Sequence, residues 1–301
     1  MKSVEVIGVA SRLGARNAHS ELGPNILHQS SFSADVDREF GVHLHWRSTL
    51  YPADSGVAKD KIATHQSLAS LCKTLSGHTE ELTKARTPFV VIGGDHSYAM
   101  GTWAGVMNAF ADTEKFGLIW IDAHLDAHTF ATSPSGNIHG MPVAALLGAG
   151  DQSLQELCPA KSSLKANNLL MLGIRSFESE ERDLLLKLKV NIFCNDDLKK
   201  QPSFPLLFKH LVDQASAKWD HFGISIDLDG IDPEDAPAVA TPVAGGILAS
   251  DLCAALRGIN NCKKLIGIEI AEYEPTNDQA SKTQQVIRNI IGAVYGEKSN
   301  P

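Results

Sequence analysis

The 301-residue chain has no CxxC pair and only five cysteines, at positions 72, 158, 194, 253 and 262. That scatter and odd number exclude a disulfide frame or a thiolate zinc site and predict reduced, mostly packed thiols. No apolar run approaches the length of a membrane span. The opening MKSVEVIGVASRLGA lacks a signal-peptide pattern, its single Lys being followed by a short run broken by Gly and Arg. A soluble cytoplasmic protein is the expectation. Basic excess is missing too: 27 Lys and Arg against 35 Asp and Glu leave a formal charge of −8, which argues against a nucleic-acid or anionic-membrane surface. Neither GxxxxGKS nor GxGxxG occurs, so the GGDHS at 93–97 is not read as a nucleotide loop. Without a GxSxG elbow, Ser97 reads as the start of a helix rather than a nucleophile. No Pro/Gly-rich linker, low-complexity tract or repeat divides the chain, and one domain over residues 1–301 is expected, large enough to need no staples.

What is present is alternation. Apolar runs predict strands at Val4–Ala10, Phe89–Ile92, Gly117–Ile121, Leu169–Ile174, Val190–Phe193, Phe222–Ile226 and Leu265–Ile270. Helical spacing marks Val57–Leu75, Ser97–Phe110, Pro142–Leu147, Ser179–Leu188, Pro205–Ala217, Ala249–Ile259 and Ser281–Tyr295. Strands alternating with helices predict an α/β fold, a mostly parallel central sheet with helices on both faces. Sites in open parallel sheets lie at the C-terminal strand ends. Two loops, Gly14–Gly23 and Thr129–Gly140, are placed to reach over that edge.

Metal-type side chains concentrate at those ends. His96 follows VVIGGD, Asp122, His124 and Asp126 lie in IWIDAHLDAH, and Asp227 and Asp229 lie in ISIDLDGID. If the strands continued, alternate residues would share a face, so 122, 124 and 126 would point together, as would 227 and 229. Four carboxylates and two imidazoles suit Mn²⁺, Mg²⁺ or Fe²⁺ better than structural zinc. The four negative charges match a pair of divalent ions that activates water. A lone Asp or His near a strand end is usually a cap or turn residue, and Asp229, in DGID, fits that reading best. His139 stands open between a structural loop histidine, a further ligand and a proton shuttle. Glu272, in IEIAEYEP, either opens a helix or binds a cationic group.

With these segments in place the chain resembles the ureohydrolases, the arginase and agmatinase superfamily, most closely arginase. The likeness runs nearly end to end, through VIGVASRLGARNAHSELGP, GGDHS, IDAHLD, SGNIHGMP, SIDLDGIDPEDAP, TPVAGG and EIAEYEP. It implies a three-layer α-β-α fold with a central mostly parallel sheet. It also implies two Mn²⁺ ions and hydrolysis of guanidino C–N bonds, L-arginine going to L-ornithine and urea by attack of a metal-bridging hydroxide. By the resemblance, His96, Asp122, Asp126 and Asp227 hold one ion; His124, Asp122, Asp227 and Asp229 hold the other. His139 takes the proton-transfer role and Glu272 holds the guanidinium, with Asp126 completing the catalytic set. Ser135 and Asn137 fall near the substrate carboxylate and Glu178 near its amino group. His128 stands where arginases usually carry Asn, and Ser176 replaces an aspartate. The tail-binding half of the pocket is therefore altered, and agmatine, guanidinobutyrate or formiminoglutamate are alternative substrates. A non-catalytic relative is a further alternative, which would predict lost ligands. The partner expected is a small guanidino substrate, with no nucleic acid and no membrane. A homotrimer or homohexamer is implied by the family analogy alone.

Overall fold

A computed structural model describes residues 2–15, 19–53, 61–110, 115–260 and 262–297. Eight strands among them form one sheet: β1 (Lys2–Val9), β2 (Val42–Leu50), β3 (Phe89–Gly93), β4 (Phe116–Ile121), β5 (Leu169–Ile174), β6 (Asn191–Cys194), β7 (His221–Asp227) and β8 (Leu265–Ala271). Their spatial order is β2-β1-β3-β8-β7-β4-β5-β6. Every paired neighbour is parallel, so the expected mostly parallel sheet is parallel throughout. The helices are α1 (Gly23–Gln29), α2 (Phe32–Phe40), α3 (Lys61–Lys84), α4 (Ala99–Asn108), α5 (Pro142–Leu146), α6 (Gln152–Gln155), α7 (Ser179–Leu188), α8 (Asn195–Lys199), α9 (Phe204–Ser216), α10 (Ala249–Gly258) and α11 (Lys282–Tyr295).

The pleat sorts them into layers. On β3, Val90 and Ile92 join one apolar cluster with Leu27, Phe32, Phe208, Leu256 and Ile290, from α1, α2, α9, α10 and α11. Phe89 and Val91 join the opposite cluster with Leu71, Trp103, Val143 and Leu185, from α3, α4, α5 and α7. Alternate side chains of one strand thus feed two cores, and the strands read as continuous apolar runs because both faces are covered. The three-layer α-β-α arrangement is the one implied by the resemblance.

Some elements departed from the sequence reading. The strand at β2 was not expected: this edge strand is only half-buried, and VHLHWR alternates apolar and polar residues instead of forming a continuous apolar run. Helices α1 and α2 were missed as well. The expected start of the helix at Val57–Leu75 lies outside the described residues, which omit 54–60; the described helix spans Lys61–Lys84. The loop expected at Gly14–Gly23 is described apart from residues 16–18, and its last residues form a 3-10 turn.

Candidate metal centre

Four strands adjacent in the sheet, β3, β8, β7 and β4, end beside one another, and the metal-type residues follow those ends. His96 opens a 3-10 turn after β3, held by Asp95, whose side chain accepts the Ser97 N–H. Asp122 follows β4, Asp227 closes β7, and Glu272 follows β8. The turns are tightly set. A Cβ on Gly94 would overlap the Ser11 carbonyl oxygen, and one on Gly230 would sit 2.9 Å from the Asp122 nitrogen. Asp126 and Glu272 hold left-handed backbone, with φ of 48° and 64°. Such strain in a non-glycine residue persists where its surroundings over-determine it.

The expected strand alternation is not what gathers the side chains. Strand β4 stops at Ile121, and residues 122–126 are irregular; Asp229 lies in a 3-10 turn, as its DGID context suggested. The loops nevertheless converge. His96, Asp122, Asp126 and Asp227 each bring one donor atom within 4.8 Å of the others, and so do Asp122, His124 and Asp229. His96 Nδ1 lies 3.1 Å from Asp126 Oδ2, 3.1 Å from Asp227 Oδ2 and 3.5 Å from Asp122 Oδ2. His124 Nδ1 lies 3.1 Å from Asp229 Oδ2 and 3.6 Å from Asp122 Oδ1. Asp122 stands between the groups and belongs to both.

The donor set fits hard divalent cations. His96 Nδ1 and Asp126 Oδ2 are buried and make no hydrogen bond, which is costly unless a cation or proton satisfies them. Oxygen and imidazole donors with no thiolate are those preferred by Mn²⁺ or Mg²⁺. Crowded charge shifts every titration. Burial disfavours a charged His96, yet Asp122, Asp126, Asp227 and Glu269 hold its pKa well above the ordinary value. His124 behaves likewise, pushed up to about 12 by Asp122 and Asp229 against its burial. Burial and the Asp122 charge raise Asp126 to about 7. Burial, with Asp229 and Asp122 beside it, raises Asp227. Burial opposes ionisation of Asp122, but the neighbouring His124 and His96 imidazoles hold its pKa low.

Over the cluster opens a cavity of about 210 Å³. His124, Asp126, Asp227 and Asp229 lie at its floor, and His128, Ser135, Asn137, His139 and Glu178 line it too. The 129–140 loop that carries Ser135 and Asn137 is tied to the first loop by Ile138 N–H to Gly14 O at 3.0 Å. A larger cavity of about 690 Å³ shares Ser133, Pro134, Ser135 and Asn137 of that loop and is lined by none of the metal-type residues. Glu272 is 1% exposed and is not a wall of the smaller cavity. Its Oε1 accepts the His96 N–H at 2.8 Å and faces His139 Nδ1 at 3.2 Å, while its Oε2 is unpartnered. Burial lowers the pKa of His139, but Glu272 more than reverses this and raises it to about 9. His128 Nε2 lies 3.1 Å from Glu178 Oε2 and 3.4 Å from Glu181 Oε2.

Among the wall residues not singled out from sequence, two hydrogen-bond to the site's own groups. Glu181 accepts the N–H groups of Ala127 and Glu178 and closes a capping box with Glu178 on α7; the i, i+3 spacing of acidic residues at a helix start was the available signal. Thr241 donates to Asp229 Oδ2 at 3.0 Å, and no local spacing marks it.

Comparison with known proteins gives a consistent answer. A profile of the Arginase family matches residues 2–296. The arginase of Brevibacillus brevis is 30% identical over 306 residues, covering 99% of each chain. The crystal structure of the Bacillus subtilis arginase superposes with a TM-score of 0.86 at 28% identity, covering 99% of both chains. That of Entamoeba histolytica arginase in complex with L-ornithine gives the same TM-score, identity and coverage.

Proposed function

The chain belongs to the arginase family and is a hydrolase of that family; from this premise we propose that it cleaves L-arginine to L-ornithine and urea with two Mn²⁺ ions. The observation that carries the reading is the pair of donor groups sharing Asp122, with His96 Nδ1 and Asp126 Oδ2 buried and unpartnered. His96, Asp122, Asp126 and Asp227 would hold one ion. Asp122, His124, Asp227 and Asp229 would hold the other, Asp122 and Asp227 being shared. When bound, the ions supply Lewis acidity, which makes water acidic enough to ionise near neutral pH and stabilises developing negative charge. The L-ornithine complex of the Entamoeba histolytica relative supports the product side of this assignment.

The remaining steps fall to the side chains. The guanidinium is a planar cation, and a carboxylate matches it through paired hydrogen bonds. The resemblance gives that contact to Glu272, whose Oε2 is unpartnered but which lies behind His139 rather than on the cavity wall, so a substrate must reach it past His139. Water adds oxygen to the guanidinium carbon, and the bond from that carbon to the chain nitrogen breaks. The leaving nitrogen then needs a proton. His139 is assigned that proton; its Nδ1 faces Glu272 and its ring lies on the cavity wall. A pKa of about 9 keeps that proton in place at neutral pH. Ser135, Asn137 and Glu178 offer contacts to an α-amino-acid head, with His128 beside them.

Urea release from L-arginine, agmatine, guanidinobutyrate and formiminoglutamate, with Mn²⁺ and after chelation, tests the proposal. L-arginine with Mn²⁺ is expected to give the highest kcat/KM, and chelation should abolish turnover. Faster cleavage of agmatine or guanidinobutyrate overturns the arginine assignment and leaves the family assignment standing. Asp227→Ala should lose at least one ion and nearly all turnover; two ions and normal turnover in that variant would remove the binuclear reading.

A further inference from the structure

Behind His96, on the side away from the aspartates, lies a polar group that no step above uses. Ser225, on β7, and Glu269, on β8, are both fully buried and sit at paired positions of the two strands. His96 Nε2 lies 2.9 Å from Ser225 Oγ, and Ser225 Oγ lies 2.6 Å from Glu269 Oε1. Trp103 Nε1 donates to the same carboxylate oxygen at 3.1 Å. Trp120 stacks on the His96 ring at 4.3 Å and 18°, and its Nε1 donates to Asp122 Oδ2 at 2.8 Å. The ring is therefore clamped flat, with one nitrogen toward the aspartates and the other toward Ser225.

The direction of this chain follows from chemistry. The Trp103 indole N–H can only donate, so Glu269 Oε1 is an acceptor. Ser225 must spend its one hydroxyl proton on Glu269, so its oxygen lone pair is what faces Nε2. His96 must then carry a proton on Nε2, so Nδ1, which faces Asp122, Asp126 and Asp227, is the nitrogen that gives up its proton to a cation. We propose that Ser225 and Glu269 are positioning residues that hold His96 in the Nε2–H tautomer and so prepare Nδ1 to bind a divalent cation. The inference rests on the metal reading above. A metal-bound histidine is oriented through its other nitrogen, and loss of such a partner weakens metal binding by about 10–100-fold.

Mn²⁺ binding to the whole protein, followed through the EPR signal of the free ion, tests this without any assay of turnover. Ser225→Ala removes the link. Glu269→Gln keeps its shape but adds an amide donor, which can reverse the chain and move the proton to Nδ1. Each should weaken one Mn²⁺ site by about 10–100-fold while the metal-free melting temperature stays native. In a His96→Ala background, which keeps the His124 side, Ser225→Ala should leave the remaining affinity unchanged. Native Mn²⁺ affinity in both single variants overturns the proposal. So does an equal loss in the His96→Ala background, or a drop in melting temperature with unchanged affinity, because either marks a merely structural role. An unmodified protein that takes up no Mn²⁺ overturns the metal reading itself; two bound ions insensitive to both variants overturn only the inference.

Discussion

At the scale of the residue, the leaving-group proton is assigned to His139 and the guanidinium contact to Glu272. Glu272 is buried and held ionised by His139 and by the His96 N–H, while His139 gains a proton affinity that outlasts neutral pH. His139→Asn is expected to keep both metal ions and near-native substrate binding and to lose turnover, as metal analysis beside steady-state kinetics will show. Metal loss in that variant would make His139 a ligand instead. With the pKa raised from 6.5 to about 9, turnover limited by this proton should persist at neutral pH and fall as pH rises past about 9. The stability linkage has the same sign. The contribution of His139 is full below its unfolded value and is lost as pH rises through the folded one. At the tail of the pocket, His128 is tied to Glu178 and Glu181 where an asparagine is usual. His128→Asn should widen the preference for L-arginine over agmatine in kcat/KM, because a site built to bond a carboxylate discriminates against a substrate lacking it. An unchanged ratio would show that His128 does not read the tail.

At the scale of the element, the site depends on how strands end rather than on their interiors. Helix α7 shows how a cap can serve two structures at once. Glu181 closes the capping box at its start and also holds the Ala127 N–H of the loop after β4. Glu181→Ala should cost about 1–3 kcal/mol, the range for leaving buried donors unsatisfied, read by urea denaturation of the metal-free protein. A loss confined to a few tenths would mean that water replaces these contacts. The box was legible in GIRSFESEE as acidic residues three apart. Strand β2 carries the apolar–polar alternation of a half-solvated edge in VHLHWR, a signal that a search for continuous apolar runs passes over. The strand face expected to gather Asp122, His124 and Asp126 is a geometry the chain does not adopt, since β4 ends at Ile121 and Asp126 is left-handed.

At the scale of the whole molecule, metal binding and folding should be coupled. A ligand that binds only the folded state adds about 2.7 kcal/mol at one hundred times its Kd, so calorimetry with Mn²⁺ and with chelator should give well-separated transitions. Coincident transitions would argue that the carboxylates are not a metal site. Since His96 and His124 hold protons strongly among the aspartates, binding must displace them, and Mn²⁺ affinity should weaken as pH falls. Calorimetric titration in buffers of different ionisation enthalpy will count the released protons. A single cooperative transition is expected if residues 1–301 form one unit, and light scattering will decide between a monomer and the trimer or hexamer that family analogy suggests. Among the described residues no helix is long and apolar enough to cross a membrane.

The sequence by itself determined the parallel sheet, its two apolar cores and the residues at its C-terminal edge. Those properties are written locally: buried strands need continuous apolar runs, and ionisable groups clustered at strand ends stand out against them. It did not determine which atoms meet. Only the tertiary structure set β3, β8, β7 and β4 side by side, placed Glu272 behind His139 instead of on the cavity wall, and aligned Ser225 and Glu269 behind His96. These pairings join residues far apart in the chain. They arise from strand order and from irregular turns, and no local period in the sequence encodes either.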